Sequence, residues 1–155
     1  MKTINIFHDE GLVDVRLIAD FEKKIGYVLP VSYKALISQH NALQPEDCNF
    51  KFFDKSLNRI TSRDVTFLGY GPEISETSDI SNLQWHDIYG REHLVVFGVT
   101  AGGDYICFDY SGNKAIEDPP VVIMFHDYFD SDGKMSVCFV SDNFNQFIDS
   151  LYSEE

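Results

Sequence analysis

The sequence predicts an α+β fold, with a mainly antiparallel central sheet of about five or six strands flanked by N-terminal helices and a C-terminal helix, in a single domain over residues 1–155. Three observations lead to this fold. Apolar residues recur at helical spacing near the two ends of the chain. The middle consists of short apolar runs separated by Gly- and Asp-rich turns. The 13 Phe and 8 Tyr, within an apolar share of 44%, supply the surface needed to offset the entropy of ordering.

The elements follow in order. Leu17, Ile18, Phe21 and Ile25 are spaced by three and four residues, with Asp20, Glu22, Lys23 and Lys24 on the opposite face, so 15–25 reads as an amphipathic helix. Gly26 suits its left-handed cap, and Pro30 suits the first turn of a second helix over 30–40 that buries Tyr33, Leu36 and Ile37. Strands are predicted at 49–53, 65–68, 94–99, 104–110, 121–126 and 136–140. The connections Ala101-Gly102-Gly103-Asp104, Ser111-Gly112-Asn113 and Asp130-Ser131-Asp132-Gly133 are short enough for antiparallel hairpins. Residues 73–90 have no clear period, and Leu83, Trp85 and Ile88 are expected to anchor them on the core. Ser141 and Asp142 offer capping oxygens for a last helix over 142–152 that buries Phe144, Phe147, Ile148 and Leu151.

Charge narrows the function. The 25 acidic and 12 basic residues give a formal charge of -13, which repels phosphate backbones and anionic lipid. No nucleic-acid or membrane partner is therefore expected. Residues 101–155 carry 11 acids and only Lys114 and Lys134, a net of -9, against -4 for residues 1–100. A basic protein surface would sense the C-terminal third most. Three widely spaced cysteines make no disulfide framework, and no apolar run is long enough for a signal peptide or a transmembrane helix, so a cytoplasmic location is expected.

His86-Asp87 and His126-Asp127 have the ligand types of metal-dependent phosphohydrolases, but two pairs do not make a one- or two-metal set, and they read as solvated turn residues. Placing Gly133 at the sixth position of a calcium loop puts Tyr128 at the first and Phe139 at the twelfth, where carboxylates are needed. Gly98–Gly103 matches no phosphate-binding loop, and no serine sits in a G-x-S-x-G elbow. Cys107 and Cys138 lie at core-facing strand positions, where a thiolate is disfavoured. No catalytic residue, metal or cofactor is expected.

Several segments resemble the SUKH superfamily. The opening matches in Phe21-Glu22-Lys23-Lys24-Ile25-Gly26, Leu29-Pro30, Ser32-Tyr33, Leu36-Ile37 and His40-Asn41. The middle matches in 103–110 and Pro119-Pro120-Val121-Val122, and the close in 140–148. The superfamily's frequent Asn-Gly-Gly turn is Asn41-Ala42-Leu43 here, so that loop shape does not carry over. The resemblance implies an α+β fold and no catalytic motif. It also implies a protein-binding role: many bacterial members are immunity proteins of polymorphic toxin systems, and others are similar to a yeast regulator of cell-wall glucan synthesis.

The expected function is thus a non-catalytic protein-binding domain, an immunity protein that neutralises a toxin domain with a basic, nuclease-type face. The alternative is a regulatory scaffold of a cell-wall or signalling pathway. The expected contact residues are Asp127, Tyr128, Phe129, Asp130 and Asp132 at a hairpin tip, with Asp104 and Asp109 nearby on the sheet.

Overall fold

In the computed structural model, which describes residues 1–154, the chain opens with a three-residue strand β1 (Ile6–His8) and helix α1 (Val15–Ile25). Asp14 caps α1 by accepting from the Arg16 N–H at 3.0 Å, and Gly26 ends it in the left-handed region at φ 81°. Helix α2 (Val31–Gln39) starts one residue later than expected, because Pro30 takes the extended capping position and its carbonyl accepts from the Lys34 N–H. Tyr33 and Ile37 face inward.

Two ribbons precede the main sheet: β1 pairs with β2 (Gln44–Pro45), and β3 (Asn49–Asp54) with β4 (Arg59–Asp64). The stretch expected at 49–53 therefore belongs to a separate hairpin, and β1, β2 and β4 carried no readable strand pattern. The main sheet has five antiparallel strands in chain order: β5 (Thr66–Phe67), β6 (Leu94–Val99), β7 (Tyr105–Asp109), β8 (Val121–Phe129) and β9 (Met135–Ser141). The α+β class and the central antiparallel sheet are as the sequence predicts.

Side chains alternate between the two faces of this sheet, and both are covered. On one face Phe97 and Phe108 stack with centroids 4.1 Å apart, and Tyr33 of α2 meets them edge-on at 5.8 and 5.2 Å. The closing helix α4 (Phe144–Ser150) adds Phe144, 6.0 Å from each ring. Asn143 caps α4, and the chain leaves it early because Tyr152 pairs with Asn49 through two backbone hydrogen bonds of 2.9 Å. The last turn expected at 151–152 is thus an extended bridge.

The other face is covered by residues 78–90, which contain a 3-10 turn (Ile80–Asn82) and a one-turn helix α3 (His86–Tyr89). Ile80 and Tyr89 are fully buried, and Tyr89 lies 4.9 Å from Tyr105. Leu83 is half-buried against the core, but Trp85 and Ile88 are 48% and 62% exposed, which corrects the expectation that they anchor the segment. Tyr89 takes the inward side of this turn, and Ile88 and the non-helical capping residue Trp85 are left exposed.

This segment also closes a strand edge. Strand β5 reaches only Gly98 and Val99 of β6. Beyond it the Gln84 amide donates to the Val96 carbonyl at 2.8 Å and accepts from the Val96 N–H at 3.0 Å. His86 then hydrogen-bonds the Leu94 carbonyl through Nε2 at 3.2 Å.

Candidate protein-binding surface

Strands β8 and β9 run past the rest of the sheet as a hairpin. Met124 pairs with Val137 and Phe129 with Met135, so Phe125 to Tyr128 stand opposite Ser136 alone. Such a bulge kinks its strand and re-aims the side chains on it. Here it lifts His126, Asp127 and Tyr128 off the ladder, and residues 126–130 are exposed. Tyr128 and Phe129 are 49% and 50% accessible. The turn closes with Asp130 N–H donating to the Lys134 carbonyl at 2.7 Å, while Gly133 adopts φ 83°, a conformation a side chain would disfavour.

Of the residues expected at the surface, Asp127, Tyr128, Phe129, Asp130 and Asp132 come together on this tip. Asp130 is also ion-paired with Arg91 at 2.8 Å, and Arg91 donates to the Met135 carbonyl, which ties the tip to the body. Asp109 is half-buried at the end of β7, where its carboxylate accepts from the N–H and hydroxyl of Ser111.

Asp104 sits elsewhere: its side chain is 8% exposed and turned inward. One oxygen accepts from His126 N–H at 3.1 Å and from Nδ1 at 2.7 Å, and the other lies 3.9 Å from Arg63. Asp104 therefore fastens the base of the bulge rather than facing outward. His126 belongs to β8 and is held by this carboxylate, so it is no free turn residue. Neither fact has a local sequence signal, since 22 residues separate the two groups.

Donor atoms of Asp104, His126 and Asp127 lie within 4.8 Å of one another. Structural zinc takes four ligands. Here the Asp104 carboxylate is already hydrogen-bonded to His126 and faces the Arg63 guanidinium. Burial pushes the Cys107 thiol far above its ordinary range, the environment in which thiols are inert.

A cleft of about 570 Å³ lies below the tip, between α3 and strands β6, β7 and β9. His86, Arg91, His93, Asp109 and Lys134 line it together with Leu94 and Val137. Some of its polar groups are held by neighbours: the Ser111 hydroxyl donates to Asp109, and His93 Nδ1 bonds the Tyr27 hydroxyl. Among the described residues no helix is long and apolar enough to cross a membrane.

No curated protein and no solved structure matches the chain. A family model does, that of the SMI1 / KNR4 family (SUKH-1), over residues 13–150. The match spans both helical ends and the whole central sheet, and on this ground the chain belongs to the SMI1 / KNR4 family, SUKH-1.

Proposed function

We propose that this chain is a non-catalytic, cytoplasmic protein-binding domain, an immunity protein that neutralises a cognate toxin with a basic, nuclease-type face. The observation that carries the reading is the hairpin tip, where three carboxylates and two half-exposed aromatic rings project from a base fastened by Asp104, in a member of SUKH-1. Aromatic rings give contact area at low entropic cost, and carboxylates around them accelerate encounter with a cationic partner. The toxin's active site or substrate cleft is covered, and no chemistry is required of this chain.

The test uses surface-plasmon kinetics against a basic domain encoded by the adjoining reading frame. Changing Asp127, Asp130 and Asp132 to Asn slows association and flattens its salt dependence, with a smaller change in dissociation. Tyr128→Ala instead speeds dissociation. Rates unchanged at every salt concentration refute the assignment of the tip.

A further inference from the structure

Trp85 is the chain's one tryptophan, and it lies half-exposed beside Ile88 on a rigidly held backbone. Its neighbours fix it on both sides, Gln84 through two hydrogen bonds to Val96 and His86 through one to Leu94. Tyr89, behind it, donates its hydroxyl to the Leu83 carbonyl at 2.6 Å. The indole therefore stands outward by construction, and a ligand meeting it has little backbone left to order.

Depressions of about 530 and 470 Å³ lie on either side of the indole and share it as a wall. The second continues into the cleft below the hairpin tip, with which it shares His86 and Asp87. Of the five acids in residues 73–92, Glu76 and Asp87 line these depressions, and Arg91 is the segment's one Lys or Arg. Arg91 is itself paired with Asp130.

We propose that the Trp85–Ile88 ridge is a second anchor of the binding surface and receives an arginine- or lysine-bearing segment of the partner protein. Guanidinium and ammonium groups are attracted to an indole face, and Arg most often makes this contact. Glu76 and Asp87 select the same charge, and Ile88 takes the aliphatic stem. The inference rests on the protein-binding reading and extends the contact surface from the hairpin tip across the cleft to α3.

Because no other tryptophan emits, indole fluorescence reports this ridge alone. The probe is an oligo-arginine peptide titrated at low salt, with calorimetry in parallel. A saturable change in emission is expected, and it persists in the Asp127→Asn, Asp130→Asn, Asp132→Asn protein. Trp85→Ser, its fold checked by circular dichroism, loses affinity by about fivefold to tenfold. Three results overturn the inference: calorimetric binding with unchanged emission, equal affinity in Trp85→Ser, or no binding of the peptide. Failure of the adjoining basic domain to bind at all would instead remove the immunity reading, whatever the peptide does at Trp85.

Discussion

Asp104→Ala should loosen the hairpin without touching its tip. The substitution removes the acceptor for the His126 N–H and Nδ1 and leaves Arg63 without its carboxylate. Hydrogen bonds to charged groups contribute about 1.5–3 kcal/mol each. Because the His126 ring is 41% exposed and regains water, the lower end applies to it. A total loss of about 3 kcal/mol follows, which for a domain of this size lowers the thermal midpoint by roughly 6–12 °C. Scanning calorimetry, with urea unfolding as a second measure, reads the effect. His126→Ala, which keeps its backbone N–H bond to Asp104, loses less. A fall of less than about 2 °C in Asp104→Ala would refute the view that this carboxylate fastens the bulge.

Phe97→Ala opens a cavity at the centre of the aromatic stack and costs about 3–5 kcal/mol in urea unfolding. The side-chain hydrogen bonds from Arg16, and then its backbone N–H, hold the Asp14 carboxyl down from 3.8 to about 2. The folded value lies below the unfolded one, so this contribution is present above about pH 4 and fades toward pH 2. The stability gap between wild type and Asp14→Ala should therefore shrink over that interval. A thiol reagent applied to the native protein should label Cys48, which is partly exposed, and reach the buried Cys107 and Cys138 only after unfolding. Chelators should leave the thermal midpoint unchanged, and a fall of several degrees would assign a metal to Asp104, His126 and Asp127.

Legibility in the sequence followed the source of each element's stability. Strands β6 and β7 are covered on both faces, so they appear as unbroken apolar runs, and α1 carries its own cap and stripe. Strand β4 reads Arg-Ile-Thr-Ser-Arg-Asp, and its one large apolar residue, Ile60, faces solvent, so no period betrays it. Residues 78–90 are held by a glutamine amide that completes a strand edge, and that interaction depends on where β6 lies. The site divides the same way. The acidic tip and its aromatics are contiguous in sequence, whereas the Asp104–His126 contact depends on how β7 pairs with β8. Trp85 is expected on the core because composition says nothing of where the residue that caps a one-turn helix points.

The bulge in β8 has a consequence for how such a surface can diversify. The ladder is fixed by Met124 with Val137 on one side and by Phe129 with Met135 on the other, while the four residues between them answer to a single residue opposite. Phe125 is buried and His126 is held by Asp104, but Asp127 and Tyr128 can change without shifting the register of the buried strand below. On the proposed reading, recognition and folding are written in separate positions of one strand, and a lineage of such proteins can follow a changing partner while its aromatic core stays constant.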